Sequence, residues 1–97
     1  MSVDITRTAV AMIVTGRVQG VGFRAFVERH ATALRLDGWV RNRRDGSVEI
    51  RAIGDAAKID LLAARCREGP RLAEIVNVAV SDAEDDASVG FDQRPTV

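Results

Sequence analysis

Gly16 to Arg24 reads Gly-Arg-Val-Gln-Gly-Val-Gly-Phe-Arg, with Gly16, Gly20 and Gly22 close together and Arg24 closing the run. Glycines let successive backbone N–H groups turn inward around an anion with no side chain in the way. A helix starting at the end of such a run adds further free N–H groups and a partial positive charge. The guanidinium of Arg24 offers a planar fork of donors to phosphate oxygens. The chemistry suggested is the holding of one phosphate-like group. A plain strand-to-helix turn is the other reading of the same residues. The Gly-Lys-Ser/Thr ending of a P-loop is missing, and the glycine spacing does not fit a dinucleotide fingerprint.

Elements on either side of this run must position it. Thr8 to Thr15 is apolar and rich in β-branched residues, which predicts a strand with Val10, Met12 and Val14 on one face. Phe23, Phe26, Val27, Ala31 and Leu34 recur at steps of three and four, so a helix begins at about Gly22 or Phe23. Arg24 then lies in the first turn, where a cation opposes the helix dipole and wants an anion nearby. Trp39 to Asn42 reads as a short strand, Arg43 to Gly46 as a turn with an Asp-Gly signal, and Ser47 to Ile53 as the return strand. Val48, Ile50 and Ala52 face one way, and Asn42 ends its strand beside the turn. Gly54 and Asp55 break the strand, with Asp55 as the N-cap of a helix running to about Glu68. That helix carries an Ile59, Leu62, Ala63 and Cys66 stripe and stops at Gly69 and Pro70. Leu72 to Val80 reads as a strand with Val76, Val78 and Val80 on one face; Val89 to Arg94 suggests a short last one. The order β-α-β-β-α-β predicts an α+β, ferredoxin-like split β-α-β sandwich, with two helices on one face of an antiparallel sheet.

The 97 residues fit a single domain, 1–97, with Met1 to Arg7 as a loose terminus. Net charge is zero, so bulk charge points to neither nucleic acid nor membrane, and no apolar run reaches membrane-spanning length. The distribution is less even. Arginines 17, 24, 29, 35, 41, 43, 44 and 51 crowd the middle, while Leu72 to Asp92 holds six acidic residues and no basic one. This is read either as solvated faces or as a positive field around an anion site. Arg17, Arg41, Arg43 and Arg44 are taken as solvated, with attraction of substrate by one of them left open, Trp39 as packing, and Asp82 to Asp86 as a solvated loop without calcium-loop chemistry. Cys66, the only cysteine, excludes an intrachain disulfide and is read as core, and His30 as a partly buried structural histidine. No second ligand stands at metal spacing from His30. We expect a cytoplasmic location.

Gly-Arg-Val-Gln-Gly-Val-Gly-Phe-Arg closely resembles the signature of the acylphosphatase family. A second motif of that family, Gly-Trp-Val-Arg-Asn followed by Asp-Gly-Ser-Val-Glu and a glycine, appears as Gly38 to Asn42, Asp45 to Glu49, and Gly54. The resemblance covers about residues 8 to 80 and implies the same fold. It implies hydrolysis of acyl phosphates to a carboxylate and inorganic phosphate, with no metal and no cofactor. It assigns phosphate binding to Arg24 and to the backbone of Gln19, Gly20, Val21, Gly22 and Phe23, and the catalytic asparagine to Asn42. Gln19 is read as shaping the loop. The expected partner is a small-molecule acyl phosphate, with neither nucleic acid nor membrane, and a monomer is expected. The family often ends with Phe-x-Ile-Arg, whereas Phe91-Asp92-Gln93-Arg94 has glutamine at the apolar position. The last strand is therefore expected to be frayed or at an edge.

Two other classes stay open at this level. One is a binding module that keeps the phosphate cradle but turns over slowly. The other is RNA binding on the open sheet face, which needs aromatics on central strands. Val48 to Arg51 supplies none and tyrosine is absent, so this reading is the weakest.

Overall fold

The computed structural model describes residues 7–97; the expectation for residues 1–6 lies outside the described residues. The elements are β1 (Arg7–Arg17), α1 (Phe23–Ala33), β2 (Asp37–Asn42), β3 (Val48–Asp55), α2 (Ala56–Glu68), β4 (Glu74–Asp82) and β5 (Phe91–Gln93). The five strands form one sheet in the order β4-β1-β3-β2-β5. Every pairing is antiparallel except that of β5, which runs parallel to β2 at the edge.

Alternation along the strands fills one face of the sheet. Val10, Met12 and Val14 of β1, Val48, Ile50 and Ala52 of β3, and Val40 of β2 join one buried cluster. Phe23, Phe26, Val27 and Ala31 of α1, with Ile59, Leu62, Ala63 and Cys66 of α2, complete it. Both helical stripes thus fall where the three-and-four spacing puts them. Asp55 caps α2 by accepting the Ala57 N–H at 2.8 Å, and the Gly69 N–H closes the helix onto Arg65.

Four local expectations need correction. Arg7 is not loose: it starts β1, and its guanidinium donates to Asp37 at 2.8 Å and Asp85 at 2.6 Å. Gly54 does not break β3 but pairs with Thr8 inside the ladder. In β4, Val78 is buried, but Val76 is 79% exposed and Val80 45%. A β-bulge opposite Thr15 and Gly16 leaves Val76 without a partner, and β4 is an edge, so the even alternation does not hold. The bulge needs Gly16, where a Cβ would lie 2.1 Å from the Glu74 carbonyl oxygen.

The acidic stretch is an exposed loop, as expected, and it is also docked: residues 83–90 cross the sheet face opposite the helices. Asp86 accepts the Trp39 indole N–H at 2.9 Å, the Glu84 carbonyl accepts from Arg51, and Asp37 accepts the Gly90 N–H. Trp39, only 4% exposed, lies under this strap. The guanidiniums of Arg41, Arg94 and Arg51 stand 4.5, 4.9 and 5.4 Å from its ring centroid. Arg41 is the fourth correction: it is paired with Glu49 at 2.9 Å and is not a solvated arginine.

Candidate active site

The glycine run leaves β1 and delivers the chain into α1 through Gly22. That residue is the N-cap and sits in the left-handed region, φ 79° and ψ 18°, which a side chain would strain. A glycine N-cap has no side chain to accept a helix N–H. The first turn carries no acidic residue either. The first helical bond runs from the Phe26 N–H to the Gly22 carbonyl. The N–H groups ahead of it, at Phe23, Arg24 and Ala25, have no acceptor within the helix. The helix start is thus left open with its positive end bare.

In front of it lies a cleft of about 140 Å³, lined by Val18, Gly20, Gly22, Phe23, Arg24, Ala25, Asn42 and Gln93. Phe23 anchors the helix start in the core, which fixes where the open N–H groups stand. Among the described residues, no hydrogen bond or ion pair engages the Arg24 guanidinium. Asn42 ends β2 opposite Val48. Its Oδ1 is buried and has no hydrogen-bond partner among the described residues. A buried acceptor left unpaired costs about 1–3 kcal/mol, so its presence here asks for a donor supplied from the cleft.

Of the residues expected from sequence, Gly20, Gly22, Phe23, Arg24 and Asn42 are brought together around this cleft. The Val21 side chain packs against the core. The Gln19 side chain turns away to the β2–β3 turn, where it donates to the Arg43 carbonyl at 2.8 Å and the Ser47 carbonyl at 2.9 Å. Sequence reasoning missed Val18, Ala25 and Gln93 as lining. Gln93 donates to Glu28 of α1 at 2.9 Å. Its signal was a polar residue at the apolar position of the last strand.

His30 and Cys66 do not line the cleft. His30 packs on Phe26 with ring centroids 4.4 Å apart, and burial together with Arg65 and Arg29 lowers its pKa. Burial pushes the Cys66 thiol up to about 12. Among the described residues, no group of three or more His, Cys, Asp or Glu side chains is placed to hold a metal ion. A larger depression of about 410 Å³ on α1, between Ala25, Glu28, Arg29 and Thr32, lacks the converging N–H groups of the smaller cleft.

Residues 10–93 match the family model described as Acylphosphatase. The chain belongs to the acylphosphatase family. An acylphosphatase of Rhizorhabdus wittichii is 46% identical over 91 residues, covering 94% of this chain and 92% of that protein. The acylphosphatase structure from Bacillus subtilis superposes with a TM-score of 0.87 at 33% identity, covering 92% of this chain and 99% of that one. One from Coxiella burnetii gives the same TM-score at 36% identity, covering 91% and 93%. The acylphosphatase fold is the ferredoxin-like α+β sandwich described above, and the chain is an enzyme of this hydrolase class acting on acyl phosphates.

Proposed function

We propose that the enzyme hydrolyses the carboxyl–phosphate bond without a metal, holding the phosphoryl group at the start of α1 and directing water with Asn42. The observation that carries this reading is the meeting of three unsatisfied groups at one small cleft: the uncapped helix start, the unengaged Arg24, and the orphaned Asn42 Oδ1.

The backbone of Gln19 to Phe23 and the Arg24 guanidinium hold the equatorial oxygens. Charge on these oxygens is the main thing a phosphoryl-transfer site must stabilise, because the transition state is loose. The leaving group is a carboxylate, a weak base, so departure needs neither a strong general acid nor a Lewis acid. Asn42 is no base. Its Oδ1 accepts one hydrogen of the attacking water and aims the oxygen in line with the breaking bond. The other proton passes to the phosphate as phosphorus–oxygen bond formation completes, giving the free carboxylate and inorganic phosphate.

Residues 1–97 act in this reading as one domain and as a monomer, with a small-molecule acyl phosphate as the partner. The buried Trp39 and the strap over the open face support the absence of a nucleic-acid partner.

The test is benzoyl phosphate hydrolysis with excess chelator. Wild type turns over at full rate, and Arg24→Ala loses about 100- to 1000-fold in kcat/KM, the equivalent of about 3–4 kcal/mol for one aimed donor. A wild-type rate that collapses on chelation and returns with Mg²⁺ contradicts the metal-free mechanism. Phosphate binding without turnover in the folded wild type favours a binding module.

A further inference from the structure

Gln19 belongs to the glycine run by sequence, yet its side chain serves the other half of the site. Its amide nitrogen has two hydrogens, and both are used: one on the Arg43 carbonyl, one on the Ser47 carbonyl. Those carbonyls also accept the bonds that close the β2–β3 turn, from the Gly46 and Arg43 N–H groups respectively. Asp45 fixes Ser47 in turn, accepting from its N–H at 2.9 Å and its hydroxyl at 2.6 Å. Arg43 follows Asn42, and Ser47 precedes Val48, the residue paired with Asn42. The Gln19 amide therefore grips both flanks of the Asn42–Val48 pair.

The strands offer no substitute. The β1–β3 ladder ends at the Val14–Val48 pair, and beyond it β1 pairs only with β4. Among the described residues, no other side-chain hydrogen bond joins residues 16–24 to residues 42–48. The helix start and Asn42 thus stand on segments that diverge after Val14, with one carboxamide bridging them.

We propose that Gln19 is a positioning residue: its doubly donating amide locks the β2–β3 turn to the phosphate loop and so sets the place of Asn42 relative to the bound phosphoryl group. The inference rests on the function proposed above and adds the device that couples its two halves. The groups proposed to hold phosphate are the backbone of residues 19–23 and the Arg24 guanidinium; that loop is anchored on both sides by Val18, Phe23 and Phe26 in the core, and a Gln19 side-chain substitution keeps its backbone N–H. Loss of the bridge should therefore move the water-directing group and leave phosphate binding in place. A misplacement of about 1 Å costs on the order of 100-fold in rate.

The experiment compares wild type with Gln19→Met, which keeps length and removes both donors, and Gln19→Lys, which restores donors at similar reach. In Gln19→Met, kcat for benzoyl phosphate is expected to fall about 10- to 100-fold. The competitive inhibition constant of inorganic phosphate should stay as in wild type, and Gln19→Lys should recover part of kcat. Hydrogen exchange at the Arg43 and Gly46 amides should quicken in Gln19→Met and slow again in Gln19→Lys. This arm reads the bridge even if wild type proves not to turn over, which would remove the proposed function and not the bridge. Unchanged exchange and kcat in Gln19→Met overturn the proposal. So does a parallel loss of phosphate inhibition, which would place Gln19 in the cradle itself.

Discussion

The two faces of the sheet treat polar groups in opposite ways. On the strap side most polar groups are paired: Arg7 with Asp37 and Asp85, Asp86 with Ser88 and Trp39, Arg41 with Glu49; the buried Nε of Arg51 is the exception. At the mouth of the helix side, groups of comparable strength are left open: a helix start without a cap, a guanidinium without a carboxylate, and a buried carboxamide oxygen without a donor. A satisfied network adds stability and has nothing left to give a ligand. An unsatisfied one costs stability until something binds. Three such groups meeting at one cleft are what supports the working end proposed above.

Substitutions can break this contrast, and the largest effect is expected at Arg24. Arg24→Ala should lose about 100- to 1000-fold in kcat/KM while its thermal midpoint barely moves, since among the described residues no partner depends on it. Across the sheet the reverse holds. Asp86→Ala leaves the Trp39 indole N–H without its acceptor and should cost about 1–3 kcal/mol in urea unfolding, with kcat unchanged. Equal losses of activity in the two variants would erase the distinction between the faces.

A smaller effect should appear with pH. Hydrogen bonds from Ser88 and Trp39 pull Asp86 down to about 2, and Arg7 lowers both Asp37 and Asp85. Each carboxylate has a folded pKa below its unfolded one. Its contribution to stability is complete above about pH 4 and is lost as pH falls through the folded values. Unfolding midpoints should therefore drop between about pH 4 and about pH 2. Asp86→Asn should flatten that slope, and an unaltered slope would show that the strap carboxylates do not carry it.

Much of the fold was legible because its signals are local. Val10, Met12 and Val14 alternate, Ile59 to Cys66 follow helical spacing, and Asp55 and Gly69 bound a helix by their own chemistry. What escaped depends on distant partners. The bulge that expels Val76 is set by the pairing of β4 with Gly16. The docking of Asp86 needs Trp39, on a strand 47 residues earlier. The parallel placement of β5 puts Gln93 on the cleft, and no periodicity in a three-residue strand announces that. At the site, the glycine spacing and Arg24 point to an anion cradle through their chemistry, because backbone freedom and a guanidinium belong to the residues themselves. The orphaned oxygen of Asn42 is a property of its surroundings, and residue type alone reads it as an ordinary turn residue.

If phosphate holding and water direction are separate tasks on separate elements, as proposed, Asn42→Ala divides them. With chelator present and benzoyl phosphate as substrate, kcat should fall on the order of 100-fold. The inhibition constant of inorganic phosphate should stay at the wild-type value. An undiminished kcat, or phosphate inhibition lost together with kcat, would show that the two tasks are not divided in this way.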